Sequence, residues 1–193
     1  GRTCAAGTAC TAGVCMGTPP ANDTRTGATV INLATPSQTL TANTTAARND
    51  TTACACTSGN DVFFRFTLTQ PEVVYVDTFG ATWDTSLFFQ NALAQNGMAL
   101  NSNVTATAPN VTCNDDNGAA GFCPGLGTGL QSQIAARLPA GQYYLVLSGC
   151  GSGTAEIHFQ HLPGGNGATN TRLTPSATEQ TVTGTTAGTG AVG

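Results

Sequence analysis

The chain has 193 residues, of which only 8% are charged, and a net charge of −4 at pH 7. It has no lysine, and its basic side chains are Arg2, Arg25, Arg48, Arg65, Arg137 and Arg172. That balance excludes the basic footprint of a nucleic-acid or anionic-lipid binder, and no apolar run approaches the ~20 residues of a membrane-spanning helix.

Residues 1–26 show no period and carry Cys4, Cys10, Cys15 and Pro19-Pro20. They are expected to form an irregular, cysteine-rich N-terminal segment. The opening Gly1-Arg2-Thr3-Cys4 shows no leader and reads as a processed form or a fragment of a longer secreted protein. From residue 27 the pattern turns to strands. Thr29 to Leu33 and Gln38 to Asn43 are short and threonine-rich. Asp61 to Leu68 gives the clearest alternation, with Val62, Phe64, Phe66 and Leu68 on one face and Phe63, Arg65 and Thr67 on the other. Further strands are expected at Val73 to Phe79, Asp84 to Phe89, Met98 to Thr105, Asn110 to Cys113, Gln133 to Leu138, Gln142 to Leu147 and Thr154 to Leu162. Many short strands at close spacing, with no helical period, define an all-β fold: an antiparallel β-sandwich or jelly roll over residues 27–163. Gly164-Gly165-Asn166-Gly167 marks a boundary, and residues 164–193 form a Gly/Thr-rich tail.

Eight cysteines occur, at 4, 10, 15, 54, 56, 113, 123 and 150, with no C-x-x-C pair. Zinc-finger and haem-attachment spacings are therefore absent, and disulfides in an oxidising, extracellular compartment are the expectation. Cys113 and Cys123 close a short loop, and a bridge there contributes about 2–3 kcal/mol in the chain-entropy description. Cys150 needs a distant partner, either Cys54 or Cys56. The other member of that pair, with Cys4, Cys10 and Cys15, accounts for two more bridges. Cys54 and Cys56 lie two apart on one strand face and cannot join comfortably.

Four phrases in order resemble the bacterial pre-peptidase C-terminal (PPC) domain family over residues 59–162. They are Asn60-Asp61-Val62-Phe63-Phe64-Arg65-Phe66, Trp83-Asp84-Thr85-Ser86-Leu87, Cys113-Asn114-Asp115-Asp116, and Ser132 to Leu138 followed by Ala140-Gly141-Gln142-Tyr143-Tyr144-Leu145-Val146. Gln142 stands where the family commonly has threonine. The resemblance implies a jelly-roll-like, non-catalytic module of secreted enzymes and surface proteins, some relatives binding matrix polymers or calcium.

Asn114, Asp115 and Asp116 gather hard oxygen donors, and Asp84 opens a strand that can lie nearby. Calcium takes 6–8 such oxygens in flexible geometry, so it is the one cofactor these residues suggest. The same residue types also make Asx turns that cap backbone N–H groups. Catalytic signals are weak. His158 and His161 lie three apart on a strand and so face opposite sides. No G-x-S-x-G elbow occurs. Gly125-Leu126-Gly127-Thr128-Gly129 lacks the strand-then-helix setting of a nucleotide loop. Sequons at Asn22, Asn43, Asn49, Asn103 and Asn110 mark polar, exposed positions.

These features point to a non-enzymatic, cell-surface or secreted building block whose partners are copies of itself, another surface protein or a matrix polymer. The tail would add to a neighbouring sheet edge through Thr169, Leu173, Thr181, Val182, Thr183 and Val192. The alternative is an accessory substrate- or calcium-binding domain of a secreted protease or hydrolase.

Overall fold

Alternation of apolar and polar residues sets most of the strands. The computed structural model describes residues 8–11, 14–51, 59–93, 112–116 and 129–163. The strands are β1 (Thr8–Thr11), β2 (Val14–Gly17), β3 (Thr29–Val30), β4 (Ser37–Asn43), β5 (Val62–Leu68), β6 (Glu72–Asp77), β7 (Thr85–Asn91), β8 (Cys113–Asn114), β9 (Gln133–Leu138), β10 (Gly141–Gly149) and β11 (Thr154–Pro163). One 3-10 turn covers Arg25–Gly27. The expected strand at 98–105 lies outside the described residues, as does the tail.

Two sheets form the body, in the orders β3-β5-β10-β7-β8 and β4-β11-β6-β9. All their pairs are antiparallel except the two-residue β3–β5 contact. Val62, Phe64, Phe66 and Leu68 from the first sheet share one buried cluster with Val74, Val76, Ile134, Ile157 and Phe159 from the second. The chain is therefore an all-β sandwich. Phe66 sits at the cluster's aromatic centre, with ring centroids 5.8 Å from Phe89, 5.6 Å from Tyr143 and 5.3 Å from Phe159.

The structure corrects the sequence reading in two places. Within the segment expected to be irregular, β1 and β2 pair antiparallel with Cys10 opposite Cys15. Four-residue strands are too short to show a period. The strand expected at Thr29 to Leu33, β3, stops at Val30, because the Asn32 side chain accepts the N–H of Ala34 at 2.9 Å and turns the chain. The second face of β5 is partly covered. Phe63 packs with Ala28, Phe88 and Val146 in a second cluster. The segment around the 3-10 turn covers that cluster. The Arg25 guanidinium carbon lies 4.0 Å above the Tyr144 ring, while its nitrogens donate to Gln90 Oε1 and to the carbonyls of Asn91 and Ala92.

Asp61 is fully buried just before β5. Its Oδ2 accepts the N–H groups of Asp50 and Thr51 and the Thr51 hydroxyl, at 3.1, 2.8 and 2.8 Å, and its Oδ1 has no partner. Burial pushes this carboxyl from 3.8 up to about 6, against the opposing pull of the Thr51 bonds. The native state therefore holds its proton more tightly than the unfolded chain does. The resulting stability is complete below pH ~4 and is lost as pH rises through about 6.

Two outcomes follow from this packing. Phe66→Ala lowers unfolding free energy by about 3–5 kcal/mol in denaturant titration. Asp61→Asn keeps a side-chain acceptor for the 50–51 amides and removes the charge, so it flattens the fall in melting temperature between pH 4 and 7; an unchanged slope would contradict the assignment.

Candidate functional site: an acidic corner at one end of the sandwich

A knot of buried hydroxyls joins the two sheets at one end. Thr78 follows β6, Thr85 begins β7 and Ser132 precedes β9. The Thr78 and Thr85 hydroxyl oxygens lie 2.6 Å apart, and the Ser132 N–H donates to the Thr78 hydroxyl at 2.9 Å. Thr78 N–H donates to Ser132 O at 3.0 Å, and Thr85 N–H to Leu130 O at 2.9 Å. Ser132 Oγ lies 2.5 Å from both the Thr85 and the Asp115 carbonyl oxygens. Its single proton serves one of them at a time. The knot thereby pins the loop bearing Asp115 beside the start of β7, where Asp84 sits.

Asp84, Asp115 and Cys150 each place one potential ligand atom within 4.8 Å of the others. Cys150 is disulfide-bonded, so its sulfur is not a thiolate ligand. The pair of carboxylates remains. Both have raised pKa values: burial is the larger cause for each, the Asp116 charge adds at Asp84, and the Asp84 and Asp116 charges add at Asp115. Asp84 Oδ1 is buried with no hydrogen-bond partner. Of the four residues expected to bind metal, Asp84 and Asp115 bring carboxylate oxygens within 4.8 Å of each other, and exposed Asp116 adds its charge to both. The fourth, Asn114, turns away. Its Oδ1 accepts the Gln133 N–H at 2.8 Å and its amide donates to the Asp116 carbonyl at 3.0 Å, an Asx-type pin rather than a ligand.

Two carboxylates that each disfavour ionisation beside the other suit a hard divalent cation, which would relieve both the repulsion and the desolvation. The acid pair alone supplies too few oxygens for calcium, so exposed Asp116, backbone carbonyls and water would complete the shell.

Trp83 braces this corner. Its indole N–H donates to the Thr154 carbonyl at 3.1 Å, and its ring lies against the glycine turn 149–153. A Cβ on Gly149 would meet the Asp84 carbonyl oxygen at 2.1 Å and one on Gly153 the indole at 2.8 Å, so both positions need glycine.

Cys113 and Cys150 are disulfide-bonded, and not to each other. Cys113 lies level with Phe88 and Val146, so Cys150 is four residues further along and two strands across. That offset exceeds ~15 Å, against the ~6 Å a disulfide allows between Cα atoms. Cys4, Cys54, Cys56 and Cys123 lie outside the described residues, and with them the expected Cys113–Cys123 pairing. The assembly residues Thr169, Leu173, Thr181, Val182, Thr183 and Val192 lie outside as well.

The histidines sit on opposite faces of β11, each held by its own acid. His158 Nδ1 is 2.6 Å from Asp77 Oδ1, half-exposed. His161 Nδ1 is 2.6 Å from Glu72 Oε2 inside the fold, with its Nε2 3.2 Å from the Thr35 carbonyl. These are two separate cross-strand clamps. Sequence reasoning missed the roles of Thr78, which stood only inside the expected strand 73–79, and of Ser132, which stood only as the start of the fourth PPC-like phrase. Thr85 stands in the Asp84-Thr85-Ser86-Leu87 phrase and was legible only as a strand start.

No protein-family model matches the chain, and no curated protein is detectably similar to it.

Asp115→Asn removes one of two mutually repelling charges. In metal-free buffer above pH 5 it raises the melting temperature relative to the parent chain; a lower temperature would mean that the carboxylates do not repel.

Proposed function

We propose that this chain is a non-catalytic secreted module, a jelly-roll sandwich of the PPC type, which serves as a structural or adhesive building block of an extracellular assembly through its C-terminal segment. The observation that carries this reading is the outer edge of β4. It is the end strand of its sheet, seven residues long, and reads Ser-Gln-Thr-Leu-Thr-Ala-Asn with no charge and no proline. Soluble β proteins usually blunt such an edge with lysine, proline or a bulge, because it templates pairing with another chain. The bonded state of Cys113 and Cys150 supports an oxidising compartment. The four PPC-like phrases fall on β5, β7, β8 and β9–β10, the strands that build the core and the corner.

Sedimentation of the full chain and of a chain lacking residues 168–193 tests the reading. The full chain forms oligomers that grow with concentration, and the shortened chain stays monomeric; equal assembly by both would overturn it.

The carboxylates of the corner favour a second reading alongside the first, a calcium-binding accessory module. At calcium one hundred times its dissociation constant, binding adds about 2.7 kcal/mol to stability. The expected outcome is a higher melting temperature in millimolar calcium than in chelator, with a change in Trp83 emission, the chain's one tryptophan. Asp84→Asn abolishes both responses. No calcium response in the parent chain would end this reading.

A further inference from the structure

The ladder between β4 and β11 fixes which backbone groups face outward. His161 N–H donates to Pro36 O and Thr44 N–H to Gly153 O. Hydrogen-bonded pairs in an antiparallel ladder alternate. Gln38, Leu40 and Ala42 therefore exchange bonds with Phe159, Ile157 and Ala155, and the N–H and C=O groups of Ser37, Thr39, Thr41 and Asn43 point off the sheet. The register runs without a bulge from 37 to 43. The opposite edge differs: the Gln133 N–H on β9 is taken by Asn114 Oδ1, and Arg137 places a charge there. The other sheet ends in strands of two residues, β3 and β8.

The tail repeats this region of sequence in order. Gly27-Ala28-Thr29 returns as Gly167-Ala168-Thr169, Leu33 as Leu173, and Pro36-Ser37 as Pro175-Ser176. Gln38-Thr39-Leu40-Thr41 returns as Gln180-Thr181-Val182-Thr183, and Thr44-Thr45-Ala46 as Thr185-Thr186-Ala187. The alternation is kept: Gln180 and Val182 match the inward positions Gln38 and Leu40, and the threonines match the outward ones. Residues 164–179 separate this segment from β11, a stretch that extends to about 50 Å. That is enough to reach another molecule.

We propose that the outer edge of β4, which pairs with no further strand among the described residues, is the acceptor for the strand Gln180–Thr183 of a second copy of the chain. The strand extends the β4-β11-β6-β9 sheet by one. The inference rests on the assembly reading above and names its contact. A strand arriving from another copy can add antiparallel, the pairing used by every other neighbour in this sheet. One molecule's tail on the next molecule's edge is a head-to-tail contact that need not close, so it propagates.

Two full-length variants separate acceptor from donor. Thr41→Pro removes an outward N–H without touching the β4–β11 bonds, giving a chain that donates but does not accept. Val182→Pro gives one that accepts but does not donate. Each alone sediments as a monomer, and their mixture forms 1:1 pairs and nothing larger. Because proline also restricts φ, the double variant Thr39→Lys, Thr41→Lys serves as a second acceptor lesion. It raises the concentration for half-assembly at least tenfold at unchanged melting temperature. Assembly of the Thr41→Pro and double-lysine chains at the parent's concentration would overturn the β4 acceptor while leaving the assembly reading in place. Monomers of the parent at every concentration would sink both. A Val182→Pro chain that assembles normally would exclude this donor strand.

Discussion

The contact on which the rest of the structure depends is the hydroxyl knot of Thr78, Thr85 and Ser132. A two-sheet sandwich must carry its chain from one sheet to the other at its ends, and each crossing buries backbone groups that have left their ladders. Here the crossing from β6 to β7 runs between sheets, and β9 starts at the same level. Three short hydroxyl side chains accept and donate to those freed groups inside the protein, where an unpaired group costs about 1–3 kcal/mol. Valine in place of either threonine would preserve shape and lose the pairing. The knot also sets the position of Asp115, through the carbonyl that Ser132 approaches, and of Asp84, which is adjacent to Thr85. The electrostatics of the corner are thus a by-product of how the sheets are joined.

Strand positions were legible where burial imposed period two. The sequence assigned Val62, Phe64, Phe66 and Leu68 to one face, and all four are in the core. β9, expected at Gln133 to Leu138, has those bounds. What could not be read was contact made by residues of low individual signal. Thr78 and Ser132 sit 54 positions apart, and neither stands out among the chain's many hydroxyl residues. The alternation puts Phe63 on the face of Arg65 and Thr67, and says nothing of what covers it. Only the fold shows that the segment ending in Ala28 lies over that face. At the corner, the sequence suggested only that Asp84 could lie near the acidic loop, and the structure brings Asp84 and Asp115 together; the Asn114 contact depends on the position of Gln133, which local sequence does not encode.

Scarcity of charge connects the corner to the edge. Of ten acidic residues, Asp23, Asp61, Glu72 and Asp77 are buried, where they hold backbone amides or histidines. Asp84 and Asp115 are half-buried against each other. The acids therefore act mainly as internal fasteners, and few charges remain for the surface. Solubility then falls to threonine, asparagine and glycine, which hydrate well but do not repel a second copy of the same surface. In most soluble β proteins an edge such as β4 would carry at least one lysine, and this chain has none. A surface with so little charge leaves backbone pairing, rather than charge, to determine where another chain could attach. On β4 those pairing groups are fixed by the parity of the β11 ladder, so a single shift in register between β4 and β11 would replace Thr39 and Thr41 by Leu40 and Ala42 as the outward-pairing residues. The buried Ala42 and the half-buried Leu40 oppose that shift, because it would move them to solvent. The core that closes the sandwich thus also selects which backbone groups its outer edge presents.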